Sequence, residues 1–245
     1  MTTTNNPLLV TKGLTKRFGG LVAVNDVNLS VSEGQLHCLI GPNGAGKSTF
    51  FKCLTGQFKS SAGIVTLEGK EVQGLQTYEI VQRGVGIKTQ TPSLFDGLSV
   101  QENISLSALR NQASRQVVET LEEMLELFQI THLTRREVGQ LAHGQRQLVE
   151  LAAVLAAKPK LVLLDEPAAG MTGDDRIRLI QTLRDLAGRT TFIVVEHDMQ
   201  FIGDIATGVT VFNRGRVFAE GSFDEIVARS DVQEIYLGKE VDVAA

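Results

Sequence analysis

The sequence predicts an α/β protein with a parallel β-sheet that is covered by helices on both faces. Continuous apolar runs over residues 36–40, 161–164 and 192–195 are typical of parallel strands buried on both faces. Segments in which apolar residues recur with helical spacing alternate with these runs. The pattern G-x-x-x-x-G-K-[ST] follows the first run and precedes a helical segment, and this order indicates a doubly wound α/β core.

The first apolar run leads into a glycine-rich loop that fits the phosphate-binding P-loop pattern. The loop consists of Gly41, Pro42, Asn43, Gly44, Ala45, Gly46, Lys47, Ser48 and Thr49. Its glycines allow successive N–H groups to point toward an anion, and the following helix adds its positive N-terminal end. Lys47 can pair with the β- and γ-phosphates of a nucleotide, and the Ser48 hydroxyl can bind Mg²⁺. The alternative is a glycine-rich turn without a ligand, which the strand–loop–helix context disfavours.

The remaining periodic segments extend this prediction along the chain. Apolar and polar residues alternate over 8–10, 25–31 and 64–68, as they do in half-buried strands. Helical spacing links three sets of apolar residues, which are Val118, Leu121, Leu125 and Phe128, then Leu148, Leu151, Ala152 and Leu155, then Ile177, Ile180, Leu183 and Leu186.

The division of the chain follows from where these patterns lie. The region from about residue 91 to 158 has helical patterns without a convincing strand, so we expect a helical subdomain inserted in the core. One domain would then span residues 8–238, with its core and β subdomain at about 8–90 and 159–238. Residues 1–7 are polar and expected to be disordered.

Composition narrows the function classes. The chain has 245 residues, of which 42% are hydrophobic and 21% are charged, and its net charge is −4. This balance is typical of a globular protein and argues against nucleic acid as the main ligand. Cys38 and Cys53 lie in apolar segments and are interpreted as core residues of a reducing compartment. We expect neither a signal peptide nor a membrane span, so any membrane role would be peripheral.

A second motif ends the apolar run at 161–164 with two carboxylates, Asp165 and Glu166, before a proline. Strands of a parallel sheet end at the ligand side, so Asp165 could bind Mg²⁺ together with Ser48. Glu166 could act as the base that accepts a hydrogen bond from the water attacking a γ-phosphate. The alternative is an acidic pair at an ordinary turn.

His197 follows the run at 192–195 and could stabilise developing charge, or could be a solvated or core histidine.

With these elements the chain resembles the ATP-binding subunit of ABC transporters over about residues 8–238. The resemblance implies a RecA-like P-loop NTPase core with an N-terminal antiparallel β subdomain and an inserted helical subdomain, acting on ATP with Mg²⁺. It also implies that Gln90 is the Q-loop glutamine, which contacts Mg²⁺ and the attacking water, and that His197 is the switch histidine. Phe18 stands where the family places an aromatic ring against adenine, although it could equally be a core aromatic.

The signature motif departs from the family pattern Leu-Ser-Gly-Gly-Gln. The chain has Leu141 followed by Ala142, His143, Gly144 and Gln145. In the family this loop caps the γ-phosphate of the ATP bound by the partner subunit. Ala142 lacks the serine hydroxyl, whose hydrogen bond to a charged group would contribute about 1.5–3 kcal/mol. His143 could donate to phosphate or point to solvent. Residues 168–172 occupy the position of the family's D-loop with an unusual sequence.

Shorter motifs resemble the ATPases of uptake systems for branched-chain amino acids and urea. They are Phe18-Gly19-Gly20-Leu21, Gln90-Thr91-Pro92, Val194-Val195-Glu196-His197-Asp198-Met199 and Tyr236-Leu237-Gly238. The resemblance implies a peripheral ATPase on the cytoplasmic face of the inner membrane. Its implied partners are transmembrane permease subunits, a second ATPase subunit of the same or a similar sequence and, indirectly, a solute-binding protein, with no nucleic acid.

The apolar loop 91–103 is our candidate surface for docking the permease, although it could be a core-packed connection. Two other functions remain as alternatives: an export ATPase such as that of lipopolysaccharide export, and a soluble ABC protein of translation or DNA repair. A GTPase is disfavoured because the sequence lacks an Asn-Lys-x-Asp motif.

Overall fold

The computed structural model describes residues 7–90, 93–171 and 173–236. These residues form two compact units, and the boundaries between them lie after Arg83 and after Leu186. The first unit contains the residues up to Arg83 and those from Ala187 onward, and the second unit contains Gly84–Leu186. Of the start expected to be disordered, residues 1–6 lie outside the described residues and Pro7 begins the first strand. The expected domain and subdomain boundaries stay predictions.

Strands and helices alternate through most of the described chain. The strands are β1 (Pro7–Phe18), β2 (Leu21–Ser32), β3 (Leu36–Ile40), β4 (Ala62–Leu67), β5 (Lys70–Glu71), β6 (Val85–Lys88), β7 (Leu161–Asp165), β8 (Thr191–Val195), β9 (Gly208–Asn213) and β10 (Arg216–Gly221). The α-helices are α1 (Lys47–Leu54), α2 (Thr77–Gln82), α3 (Val100–Leu109), α4 (Ser114–Leu127), α5 (His143–Ala156), α6 (Gly173–Leu186), α7 (Met199–Ile205), α8 (Phe223–Ala228) and α9 (Ser230–Tyr236). Within the described residues, no helix is long and apolar enough to cross a bilayer.

The first unit contains an antiparallel sheet in the order β2-β1-β4-β5. Strands β1 and β2 are much longer than the alternating segments 8–10 and 25–31 that predict them. The register between β1 and β2 shifts at several points, including between Thr11 and Leu14. Each shift moves side chains to the opposite face, so the regular alternation that marks a strand is interrupted.

The first unit also contains two of the three parallel strands predicted from continuous apolar runs, namely β3 and β8. Strands β10, β9, β3 and β8 lie side by side in that order, and β3 pairs in parallel with both β9 and β8. Every residue of β3 and β8 is buried. Helix α1 packs with β8, and its Phe50 ring lies 5.2 Å from the ring of Phe212 in β9. The predicted fold class, an α/β core with an antiparallel β subdomain, is confirmed.

Both cysteines are free thiols in the core of this unit, as the sequence predicts. Cys38 lies in β3 and Cys53 in α1, and both are buried. Burial raises the pKa of the Cys53 thiol to about 11 and raises that of Cys38 further above its ordinary value. Both are therefore apolar core residues at neutral pH.

The second unit combines the parallel pair β6–β7 with helices α3, α4, α5 and α6. The described part of 91–158 consists of helices joined by turns, and its strand-like pairing is one isolated bridge between Ser99 and Glu137. The apolar set predicted on α5 is buried throughout, but the set on α4 is shifted, because Val118 is 57% exposed while Val117 is buried. Thr120 lies on the buried face of α4, where its hydroxyl donates to Gln112 at 2.6 Å, and this polar residue obscures the apolar stripe.

Candidate functional site

The P-loop joins β3 to α1 in the first unit. Gly46 is the N-cap of α1 with φ 104°, and its carbonyl accepts the Phe50 N–H at 2.8 Å. Gly46 has no side chain to cap the helix, and the first turn has no acidic residue. The first N–H groups of α1 are therefore left to interact with solvent or an anion, and the helix dipole favours an anion there.

Two of the loop glycines are fixed by the backbone around them. At Gly41, with φ 139°, a Cβ would collide with the carbonyl oxygen of Phe212 in β9. At Gly46 a Cβ would collide with the carbonyl oxygen of Ala23 in β2. Because both obstacles are backbone atoms, no side-chain movement can make room. The cradle is thus shaped by strands that are distant in sequence.

A residue after β9 ties the same loop to β2. The Gly215 N–H donates to the Ala45 carbonyl at 2.8 Å, and the Gly215 carbonyl accepts the Asn25 N–H at 2.8 Å. No sequence motif marks the proximity of Ala23, Phe212 and Gly215 to the P-loop, so these residues could not be predicted.

The Lys47 side chain folds back over the start of the P-loop. Its Nζ donates to the carbonyl of Gly41 at 2.5 Å and to that of Pro42 at 3.1 Å. The ammonium group is therefore held at the loop by carbonyl oxygens, which phosphate oxygens could replace as acceptors. Burial raises the Tyr236 pKa to about 12, and the backbone of Gly41 opposes part of this shift. Leu237 and Gly238 of the same predicted motif lie outside the described residues.

Phe18 ends β1 with an exposed ring. It is 41% exposed, and it packs edge-to-face against Phe58 with centroids 5.3 Å apart. The Nζ of Lys16 lies 4.8 Å from the Phe18 centroid. This exposure does not suit a core aromatic, whereas the predicted contact with adenine needs an accessible ring.

His197 and the P-loop leave the same edge of the first unit's sheet, since β3 and β8 are parallel neighbours. The His197 side chain is 63% exposed, which excludes a core position. Glu196 beside it is buried, and its carboxylate accepts the His197 N–H at 2.9 Å. The sequence analysis assigned no role to Glu196, which orders the backbone at His197.

Asp165 and Glu166 differ in both burial and backbone conformation. Asp165 is the last residue of β7 and is 5% exposed. Glu166 is half-buried with φ 48°, in the left-handed region, which costs a non-glycine residue about 1 kcal/mol or more. Such strain is concentrated at functional sites, and here it turns the Glu166 side chain out of the strand pattern.

Gln90 lies just beyond β6, next to the strand that carries these carboxylates. Lys88 of β6 pairs with Leu164 of β7, so Gln90 and Asp165 leave the same sheet edge within the second unit. The Gln90 side chain is exposed, and Thr91 and Pro92 lie outside the described residues.

The signature loop precedes α5 in the second unit. Ala142 is the exposed N-cap, and its N–H donates to the Gln145 side chain at 3.2 Å. His143 is exposed, and its Nε2 donates to the carbonyl of Ala169 at 3.1 Å. The ring thereby binds the D-loop, of which Thr172 lies outside the described residues. A Cβ on Gly144 would collide with the Asp175 carboxylate.

The predicted site residues are thus divided between the units. Phe18, the P-loop and His197 belong to the first unit, and Gln90, the signature loop, Asp165 and Glu166 belong to the second. The chemical groups of the two sets complement each other. The first offers N–H groups and cations for an anion, and the second offers carboxylates for a metal ion and a water molecule.

A family model described as "ABC transporter" matches residues 24–169. The chain is 37% identical to the high-affinity branched-chain amino acid transport ATP-binding protein BraF of Pseudomonas aeruginosa, over 96% of this chain and 99% of BraF. It is 32% identical to LivG of Escherichia coli, which carries the same description, over 96% of this chain and 99% of LivG. A solved ATP-binding cassette of an ABC transporter, MJ1267, is similar with TM-score 0.85 and 28% identity, over 94% of this chain and 99% of that one.

Proposed function

The chain belongs to the ABC transporter family, and we propose that it is the ATP-hydrolysing subunit of an importer of branched-chain amino acids, related amino acids or urea. The observation that carries this proposal is the match, along nearly the whole chain, to two proteins named for branched-chain amino acid transport. The same match favours import over the alternatives of an export ATPase and a soluble ABC protein.

In this proposal the P-loop binds the phosphates of ATP. The N–H groups of residues 43–49, which include the start of α1, surround the phosphates, and Lys47 exchanges its carbonyl acceptors for β- and γ-phosphate oxygens. The collisions that a Cβ would make at Gly41 and Gly46 show that β9 and β2 pack directly against the backbone of this loop. Stacking of adenine on Phe18 would add about 1–3 kcal/mol.

Mg²⁺ would be held by Ser48 and Asp165, with Gln90 as a further contact. These side chains offer the oxygen ligands that Mg²⁺ prefers, and Ser48 and Gln90 are exposed to a ligand while Asp165 ends a strand. Held there, Mg²⁺ would supply positive charge that offsets the charge developing on the phosphates.

The remaining residues act on the attacking water and the γ-phosphate. Glu166 accepts a hydrogen bond from the water and orients it, with Gln90 as a second contact. His197 donates a ring N–H to the developing negative charge. Residues Ala142, His143, Gly144 and Gln145 contact the γ-phosphate bound by a second ATPase subunit, so hydrolysis requires a dimer of this chain with itself or a similar chain.

The predicted docking segment 91–103, which ends in the first turn of α3, is the proposed contact for transmembrane permease subunits. Phe95 is 63% exposed beside a cleft of about 240 Å³, whose walls include Leu94, Leu106 and Arg110. Asn103 orders this loop, because its Oδ1 accepts the Phe95 N–H at 2.8 Å and its Nδ2 donates to the Ser99 carbonyl at 3.0 Å. The subunit would then lie peripherally on the cytoplasmic face of the membrane and respond indirectly to a solute-binding protein.

The first experiment tests nucleotide binding through Lys47→Ala. We expect ATP affinity to fall by at least about a hundredfold while the circular dichroism spectrum is unchanged, since the lysine supplies charge rather than core packing. Lys52→Ala on the same helix is the matched control and should bind ATP normally. Wild-type affinity in a folded Lys47→Ala variant would contradict the proposal.

The second experiment tests catalysis and transport through Glu166→Gln. The amide keeps the size of the side chain but cannot act as a base, so ATP should bind and accumulate a dimer without turnover. Glu122→Gln on α4 should retain the wild-type rate. Reconstituted with transmembrane permease subunits, the wild-type chain should drive ATP-dependent uptake of labelled leucine or urea, and the Glu166→Gln variant should not. ATP hydrolysis at the wild-type rate in Glu166→Gln would refute the assignment of Glu166.

A further inference from the structure

A buried ion pair in the second unit has no role in the chemistry described above. Lys88 at the end of β6 is 1% exposed, Glu150 on α5 is 2% exposed, and Nζ and Oε2 are 3.7 Å apart. Removing two charges from water costs several kcal/mol per ion, and their mutual attraction and further hydrogen bonds offset this cost only in part. The pair therefore need not contribute to the free energy of unfolding. Its role is better sought in the chain segments that it holds together.

The same carboxylate also holds the chain on the far side of Gln90. Glu150 Oε1 accepts the Ser93 N–H at 2.9 Å and the Ser93 hydroxyl at 3.2 Å. One side chain on α5 thus binds the residue two positions before Gln90 and the residue three positions after it. Because a residue extends at most about 3.6 Å, the two attachments limit how far Gln90 can move from Glu150.

We infer that Glu150 is a positioning residue that holds Gln90 in place for ATP hydrolysis, and that it links Gln90 to the helix beginning at the signature loop. This inference rests on the proposed function. Glu150 acts through Gln90 and touches neither nucleotide nor water, so its loss should lower kcat and leave ATP affinity unchanged. If Glu150 only stabilised the fold, its loss would lower the melting temperature without a specific decrease in kcat.

The test is a double-mutant cycle between Glu150→Gln and Gln90→Ala in the full-length protein, with Mg-ATP as the probe. Glutamine keeps an oxygen acceptor for Ser93 but removes the charge that attracts Lys88. We expect Glu150→Gln to lower kcat by roughly tenfold, as a misplaced catalytic group does, with ATP affinity within twofold of wild type. On the Gln90→Ala background the same substitution should change kcat by less than about twofold, because its effect passes through Gln90.

Thr120→Val on α4 is the matched control for losing a buried hydrogen bond in the same unit. Thr120 is 1% exposed, and the variant should lower the melting temperature and leave kcat unchanged. Should Glu150→Gln fail to fold, Lys88→Met combined with Glu150→Gln removes both charges and keeps the acceptor for Ser93. The cycle is then measured with that pair.

The outcomes separate this inference from the proposed function. A tenfold loss in kcat on both backgrounds, or a loss of ATP affinity instead of kcat, would overturn the role of Glu150 while an active wild type upholds the ATPase. A wild-type kcat in Glu150→Gln would also overturn it. A wild-type protein that does not hydrolyse ATP would overturn the proposed function and this inference together.

Discussion

The P-loop and the signature loop both lead into the N-terminus of a helix, yet they are built in different ways. The P-loop is fixed by backbone carbonyls of β2 and β9, with which a Cβ at Gly46 or Gly41 would collide. The signature loop is fixed by side chains. His143 binds the carbonyl of Ala169, and the obstacle beside Gly144 is the end of the Asp175 side chain.

This difference explains where the chain follows the family pattern and where it departs from it. A backbone carbonyl in a paired strand cannot move without breaking the sheet, so the two P-loop glycines have no substitute. A side chain can rotate, so the signature loop can accept a histidine where the family has glycine. Departures from a motif are thus expected where its geometry depends on side chains.

The largest effect should come from Gly46→Ala. The new methyl group meets the Ala23 carbonyl and must displace the backbone, so we expect a loss of about a thousandfold in ATP affinity. Gly44→Ala is the matched control, because Gly44 has φ 79° and room for a Cβ among the described residues. It should lose only about 1 kcal/mol from strain. Equal losses in isothermal titration of both variants would remove the distinction between backbone and side-chain constraints.

The second effect concerns the strand that leads into the P-loop. His37 in β3 is 5% exposed, its Nε2 lies 2.7 Å from the Thr210 hydroxyl, and burial lowers its pKa from 6.5 to about 4. Because the folded pKa is below the unfolded one, the free energy of unfolding should be highest above pH 6.5. It should fall by about 3 kcal/mol as the pH is lowered toward 4.

Urea unfolding at a series of pH values measures this loss. His37→Gln should remove most of the decline below pH 6.5, and the exposed His132→Gln should retain it. A wild-type protein equally stable at pH 7 and pH 4.5 would show that His37 is not the buried neutral group described. Any unfolding at lower pH would then have to be caused by groups other than His37 in β3.

The third prediction tests whether the absence of the serine hydroxyl at Ala142 weakens ATP-driven dimerisation. Ala142→Ser on the Glu166→Gln background should strengthen ATP-driven dimerisation by up to about 1.5–3 kcal/mol through a hydrogen bond to phosphate. Serine at an N-cap also stabilises the helix, so Ala113→Ser at the exposed N-cap of α4 is the matched control. The control should raise the melting temperature without changing dimerisation. Sedimentation measurements giving the same dimer constant for Ala142→Ser and its parent would mean that the hydroxyl is not required.

The smallest effect should come from His143→Ala. Loss of one hydrogen bond to the Ala169 carbonyl should cost about 0.5–1.5 kcal/mol, with faster hydrogen exchange at residues 168–171. His132→Ala should leave that exchange unchanged. If exchange in the D-loop does not respond to His143→Ala, the histidine contact does not stabilise that loop.

The fold could be predicted where burial is uniform and less well where the pattern is mixed. The apolar run 36–40 matches β3 at both ends, because a strand covered on both faces is apolar almost throughout, with His37 as its one polar residue. Strand β1 was predicted only in part because register shifts break its alternation. On α6, Ile177 was placed on the core face but is 53% exposed, since burial depends on neighbours that spacing alone does not reveal.

The residues of the candidate site also divide into those that the sequence predicts and those that it does not. The P-loop, Asp165 and Glu166 could be recognised because consecutive residues carry their chemistry. Glu150 and Lys88 could not, because only tertiary packing reveals that both charges are buried together.

The hydrogen bonds of Asn103 also affect the thermodynamics of assembly. Its amide nitrogen reaches the carbonyls of Phe95, Leu98 and Ser99 at 3.1, 3.3 and 3.0 Å, so one side chain orders the whole turn. Immobilising a flexible loop on association costs about 0.5–1.5 kcal/mol for each side chain that becomes ordered. With the backbone around Phe95 already ordered in the free subunit, part of that entropy loss occurs during folding, and a larger share of the contact energy would remain as affinity in the proposed permease contact.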